Sequence, residues 1–296
     1  TVERIGKMAD VLVRGQSLDG SIRVFSAVTT ELCRRAQQIH QSLPPATAAL
    51  GRLLTAGAMM GAQLKNDTDS ITLQVAGDGS LGKIVVAGDC ESRVRGYVEN
   101  PQVDLPLNKK GKIDVARAVG RGRLSVVRDL GLKEPYVGQV PIVTGEIAED
   151  ITYYYAKSEQ VPTAVGLGVL VDRDLSVKAA GGFMIQLMPE ATDAAAEQLE
   201  KQVREIGSVT DMIVGGMSAQ DILFKVTDGF DMLVQNKTVE PKYECKCSKE
   251  RMERALISIG RDELSKLIEE KGEAELCCQF CDRRYLFDKN ELENLL

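Results

Sequence analysis

At 296 residues, with 44% hydrophobic and 27% charged side chains, the chain has a globular composition and the length of two or three domains. Formal charge is −6 but uneven: from Pro189 onward 15 basic and 23 acidic residues give −8, and the preceding residues, with 22 basic and 20 acidic, give +2. An acidic C-terminal third suits phosphate backbones poorly, and no window approaches the roughly 18 apolar residues of a membrane span, so neither nucleic acid nor membrane is an expected partner.

In chain order, Thr1 to Lys7 has no signal-peptide character, and Met8 is the expected native start. Asp10 to Gln16 and Ser21 to Ala27 alternate as strands joined by a hairpin at Asp19-Gly20. Thr30 to Gln41 reads as a helix stopped by Pro44-Pro45. Thr47 to Leu64 is the most apolar helix, and its small residues (Ala48, Gly51, Gly57 and Gly61 among them) predict close packing in the interior. Met59 and Met60 are expected there as core residues, as are Cys33 and Cys90.

Ile71 to Ala76 is a strand, and Gly77-Asp78-Gly79-Ser80-Leu81-Gly82 after it is a literal G-x-G-x-x-G. A dinucleotide fingerprint must open a helix. Here Lys83 to Ala87 reads as another strand, so the glycines belong to a hairpin turn, and Gly120-Arg121-Gly122 is read the same way. Strand-like runs continue at Arg93–Val98, Leu124–Asp129, Tyr136–Ile142, Ile151–Tyr155, Ala164–Val171 and Val177–Met188, the last two joined by a turn over Asp172 to Asp174. As a strand, Tyr153-Tyr154-Tyr155 would place rings on both sheet faces, for packing at core and rim. This order predicts an α+β protein whose sheet-rich N-terminal domain covers residues 8–188.

Composition changes after Pro189. Thr192 to Glu205 is a charged helix with a thin apolar stripe of Leu199, Val203 and Ile206. Gly215-Gly216 interrupts, and Ser218-x-x-Asp221 restarts a short helix carrying Ile222, Leu223 and Val226. Stripes this narrow bury little, against about 1–2 kcal/mol of backbone entropy per ordered residue. Residues 189–240 are therefore expected to form a helical, metastable linker that is ordered only by docking.

The last segment, residues 241–296, holds Cys245-Lys246-Cys247, then thirty residues, then Cys278-Gln279-Phe280-Cys281. Two pairs of thiolates on two tight turns are how a closed tetrahedral zinc site is built, so Zn²⁺ bound by Cys245, Cys247, Cys278 and Cys281 is expected. Cys277 would widen the second turn by one residue and is read as a bystander. Helices over Lys249–Ile259 and Arg261–Glu270 are expected, Ser248 capping the first. A hairpin of Glu273–Cys277 with Tyr285–Phe287 and a last helix opened by Asp288-x-x-Glu291 complete a small zinc-binding domain. Lys246, Lys249, Arg251, Arg283 and Arg284 would surround the thiolates and keep them anionic.

Three chemistries compete for such a site. A zinc-ribbon nucleic-acid binder should carry a basic patch, and a thiol oxidoreductase should turn over a disulfide substrate. A zinc hydrolase needs an open coordination position, usually with His ligands, and the chain's one histidine, His40, lies in a distant helical stretch and is expected at a surface or boundary.

The residues also resemble a known family. Cys245-x-Cys247-Ser248-Lys249-Glu250-Arg251, Ala255-Leu256, Leu267-Ile268-Glu269-Glu270, Ala274-Glu275, Cys278-Gln279-Phe280-Cys281 and Tyr285-x-Phe287 are similar to the redox-switched thirty-three-kilodalton heat-shock chaperones. So are Ala49-Leu50-Gly51-Arg52, Ser158-Glu159-Gln160, Ala180-Gly181-Gly182-Phe183 and Gln186-x-Met188-Pro189. The resemblance spans about Asp10 to Leu292, with Cys277 as an additional cysteine that could enter off-pathway disulfides. It implies a cytoplasmic, ATP-independent holdase of the stress response, not an enzyme and without catalytic residues, inactive while reduced and zinc-bound. It further implies that oxidation pairs Cys245 with Cys247 and Cys278 with Cys281, expels the zinc and unfolds the linker and C-terminal regions. Dimerisation on activation and capture of unfolding client proteins are implied as well.

Overall fold

The computed structural model describes residues 9–296, and the expected start at Met8 lies outside them. The chain forms two compact units, the described residues up to Tyr243 and Glu244–Leu296.

In the first unit β1 (Val11–Ser17) and β2 (Ile22–Val28) form the expected hairpin. Gly20 takes a φ of 74° in its turn, and the Asp19 carboxylate accepts the Ser21 amide at 3.0 Å. After α1 (Thr30–His40) comes α2 (Pro44–Gly61), which starts on two prolines, tolerated where amides have no helical partner. Every residue of α2 except Pro44 and Arg52 is buried, Met59 and Met60 included. Strands β3 (Ser70–Gly77), β4 (Lys83–Asp89) and β5 (Arg93–Val98) follow, then α3 (Val115–Val119), β6 (Gly122–Asp129) and β7 (Tyr136–Pro141). The unit continues through α4 (Ala148–Tyr154), a π-helical turn (Tyr155–Glu159), β8 (Thr163–Val171) and β9 (Val177–Leu187). Helices α5 (Asp193–Glu205), α6 (Val209–Val214) and α7 (Ala219–Val226) lead to the short strands β10 (Met232–Val234) and β11 (Lys242–Tyr243).

The strands make two sheets, ordered β10-β1-β2-β9-β8 and β11-β5-β4-β3-β6-β7, with β11–β5 as the parallel pairing. The α2 helix contributes to the main core alongside residues of both sheets, which explains its small side chains. A Cβ on Gly57 would sit 2.7 Å from Val86 Cγ1 of β4, and one on Gly51 would sit 2.9 Å from Val169 Cγ2 of β8. Each glycine therefore lets one sheet approach the helix backbone.

Residues 189–240 belong to this first unit. Leu199, Met212, Ile213, Ile222, Leu223 and Val226 form a second apolar cluster with Val13, Val24, Val28, Phe183 and Ile185 of the five-stranded sheet. Val203 and Ile206, the rest of the α5 stripe, pack against the same cluster.

Three sequence expectations change. Ile151–Tyr155 is not a strand but the end of α4 and the start of the π-helical turn. The β-branched and aromatic content is strand-like, but Asp150, at 1% exposure, accepts the amides of Val143, Thr144, Gly145 and Ile147 and pins the start of a helix. Tyr154 and Tyr155 are thus buried together, edge to face at 5.5 Å, instead of on opposite sheet faces. Gly120-Arg121-Gly122 is no hairpin turn either; it joins α3 to β6, and the Arg121 amide donates to Asp78 at 2.7 Å. Cys90 is not core: it lies in the β4–β5 turn, half-buried, with its thiol directed at Asp67 Oδ1. The Gly77–Gly82 stretch is the end of β3 and its turn into β4, as read, and Cys33 is buried. His40 sits at a boundary, its Nε2 2.9 Å from the Gly96 carbonyl and 3.2 Å from the Tyr243 hydroxyl.

Candidate metal centre

The second unit begins just before the first cysteine. Ser248 caps α8 (Lys249–Ser258) by accepting the Arg251 amide, and Gly260 turns the chain into α9 (Arg261–Glu270). The hairpin β12 (Ala274–Cys277) and β13 (Arg284–Phe287) follows, and Asp288 closes a capping box with Glu291 at the start of α10 (Lys289–Glu293). The apolar core is small: Leu256, Leu264, Ile268, Phe287 and Leu292 are its buried members.

The second thiol pair lies on the tip of this hairpin. The Cys278 carbonyl accepts the amides of Cys281 at 3.2 Å and Asp282 at 2.8 Å, and the Cys278 amide donates to Arg283 at 2.9 Å. Asp282 takes a φ of 57°, completing a tight knuckle that turns two sulfurs to one side. The first pair, on the extended approach to α8, meets them. Cys245 Sγ lies 3.7 Å from Cys278 Sγ, Cys247 Sγ lies 3.4 Å from Cys281 Sγ, and all four sulfurs fall within 4.8 Å of one another. Four sulfurs about 2.3 Å from one tetrahedral ion would stand about 3.8 Å apart. The spacing fits a metal ion held by four cysteines, with no position left for water or substrate.

Cys277 is outside this group and exposed, facing Arg284 across the hairpin. The basic residues divide. Arg283 stands near Cys247 and Cys281, whereas Lys249 pairs with Glu291 and lies 5.1 Å from the Phe287 ring centre, and Arg284 pairs with Glu275 at 3.1 Å. The expected ring of cations around the sulfurs is therefore incomplete, because carboxylates on neighbouring elements, Glu291 of α10 and Glu275 of β12, compete for Lys249 and Arg284.

Without a metal the four thiols are not equivalent. Burial, together with hydrogen bonds from neighbouring thiols, pushes the Cys245 thiol up to about 11, and burial pushes Cys281 up as well. Burial acts against Cys247 too, but the Tyr285 hydroxyl, 3.1 Å from its sulfur, and the adjacent thiols hold it down to about 7. Cys247 is thus more readily ionised than Cys245 or Cys281, and a bound cation would favour the thiolate form of every ligand. Sequence reading placed Tyr285 on a strand without a role at the site. The available signal was its place on β13, four residues beyond Cys281 and so close to the turn that carries the second thiol pair.

Comparison with known proteins agrees with this architecture. The family model described as "Hsp33 protein" matches residues 10–288. A "33 kDa chaperonin" of Clostridium acetobutylicum is 48% identical over 290 residues, 98% of each chain, and one of Clostridium tetani is 47% identical over the same length and shares. Among solved structures, the crystal structure of a 33 kDa chaperonin (heat shock protein 33 homolog) from Thermotoga maritima superposes with a TM-score of 0.89 at 39% identity, covering 97% of this chain and 98% of that one.

Proposed function

The chain belongs to the Hsp33 family and has its chaperone function, and from that premise we propose a zinc-dependent, ATP-independent holdase switched on by oxidation of Cys245, Cys247, Cys278 and Cys281. One observation carries this reading: four cysteine sulfurs gathered within 4.8 Å of one another on a unit with a five-residue buried core. Zinc, when bound, would supply an apparent ~10–16 kcal/mol of folding free energy, as it does in small finger peptides. Five buried side chains do not hold such a segment alone.

The chemistry belongs to the sulfurs. With peroxide as oxidant, a thiolate attacks one oxygen; the S–O bond forms as the O–O bond breaks, and hydroxide leaves. A second thiolate then displaces a second hydroxide from that sulfur, so each disulfide costs one peroxide and two electrons. We assign the pairs Cys245–Cys247 and Cys278–Cys281 from the family resemblance. All four sulfurs lie within 4.8 Å of one another, so pairing within each cluster needs only a short closure, and each disulfide removes two ligands from the metal. Metal loss and opening of the unit are then one event.

Opening would pass to the linker, residues 189–240. The chain leaving it is tied to the first unit by the three-residue β10, the Leu12–Val239 bridge and the two-residue β11, which are short anchors. Release of α5 to α7 would uncover Val24, Val28, Phe183 and Ile185 on the five-stranded sheet, an apolar face for unfolding clients or a second copy of the chain. Persistent thiolates call for a reducing compartment, hence the cytoplasm. Among the described residues no helix is long and apolar enough to cross a membrane.

The test is peroxide under mildly unfolding conditions. One zinc per chain should be released, both disulfides should appear by peptide mapping, and aggregation of a client should be suppressed. Zinc release without any gain in client holding would overturn the switch.

A further inference from the structure

The four sulfurs are not equivalent in their surroundings. The Tyr285 hydroxyl lies 3.1 Å from Cys247 Sγ, while Cys245 meets the Cys278 sulfur at 3.7 Å and Cys281 the Cys247 sulfur at 3.4 Å. The Arg283 guanidinium interacts with Tyr285 and with both Cys247 and Cys281. A guanidinium only donates, so the phenol oxygen must accept from Arg283, and its single proton is left to point at Cys247. The direction of the bond is thereby set: Arg283 to Tyr285, Tyr285 to sulfur. Tyr285 is on β13, whose pairing with β12 places it opposite Leu276, and its ring packs against the small apolar core. The hydroxyl is thus carried by a ring that is fixed on its other side.

We propose that Tyr285, oriented by Arg283, is a positioning residue that shields the Cys247 sulfur from oxidant and so sets the peroxide dose at which the centre opens. This rests on the redox reading above and deepens it. A donated O–H draws on the lone pair that would attack peroxide. In the first oxidation step the Cys247 S–O bond forms as the peroxide O–O bond breaks and hydroxide departs, and the sulfur's negative charge is spent. The hydrogen bond, strongest to the thiolate, weakens as that charge is lost, so it stabilises the starting state more than the transition state. Removing it should accelerate attack while leaving four sulfurs to hold the metal.

The experiment compares the full-length zinc-loaded protein with Tyr285→Phe and Arg283→Met. Zinc release is followed with a chromophoric chelator, with and without hydrogen peroxide, and Cys247 oxidation by quenched alkylation and mass spectrometry. Tyr285→Phe keeps the ring and its packing, so one zinc per chain and an unchanged oxidant-free release rate are expected. Its second-order rate with peroxide should rise about three- to tenfold, the kinetic worth of part of a charge-assisted hydrogen bond. Arg283→Met, which leaves the phenol free to turn, should give a smaller rise in the same direction. Unchanged peroxide rates in both variants, or slower ones, would overturn the assignment. If Tyr285→Phe cannot hold zinc, Arg283→Met decides alone on the same criterion. The wild-type trace reports separately on the redox reading: no peroxide-driven release there defeats the switch itself, whereas release with unaltered variants defeats only the role of Tyr285.

Discussion

The two units solve the problem of stability with different materials. The first wraps two sheets around α2, a helix buried at every position but Pro44 and Arg52. The second has an apolar core of Leu256, Leu264, Ile268, Phe287 and Leu292, and beside it four sulfurs. Dispersed packing loses a little with each damaged contact, whereas order concentrated at one centre is lost with it. On the proposed redox switch, that asymmetry lets the body persist while the tail responds to oxidant.

The comparison breaks most visibly at the sulfurs. Chelation of the metal, or Cys278→Ser, should abolish amide-exchange protection in β12 and β13 while β3 and β4 keep theirs, since a structural zinc supplies ~10–16 kcal/mol. Cys277→Ser should leave zinc affinity unchanged, because that thiol is exposed and outside the group. A metal-free tail, its cysteines oxidised, that resists protease as well as the native one would end the contrast between the units.

Leu53→Ala, in the fully buried stretch of α2, should cost about 2–5 kcal/mol and lower the urea midpoint of the first unit, with one zinc per chain retained. Ile222→Ala, in the helical layer over the five-stranded sheet, should fall nearer the low end of that range, about 2 kcal/mol. Its sharper signature is client holding at lower peroxide, measured by light scattering. The smallest effect belongs to Asp288→Ala, which removes the capping carboxylate of α10. About 1 kcal/mol should be lost from the second unit, read as a modest drop in zinc affinity with the urea midpoint of the first unit unmoved.

Much of this contrast was legible beforehand. The small residues at Gly51 and Gly57 announced a closely packed, buried helix, and Asp19-Gly20 announced the first hairpin, because both depend on local sterics. The segment at Ile151 to Tyr155 misled, because its strand-like composition was overruled by Asp150 gathering four preceding amides. The same limit applies at the site. Spacing identified the four cysteines, but which basic side chains remain near them depended on carboxylates such as Glu275 and Glu291 competing for Arg284 and Lys249.

By itself the order of residues determined the α+β class, the buried helix, the thiol pairs and the family resemblance, since each follows from periodicity, turn chemistry or motif spacing over short stretches. Tertiary structure alone decided that helices α5 to α7 cover one face of the five-stranded sheet, that Lys249 and Arg284 are drawn to carboxylates, and that Tyr285 aims its proton at Cys247. Those outcomes rest on distances between residues far apart in the chain, and a hydrogen bond or a packed face exists only when folding has set such distances to within an ångström.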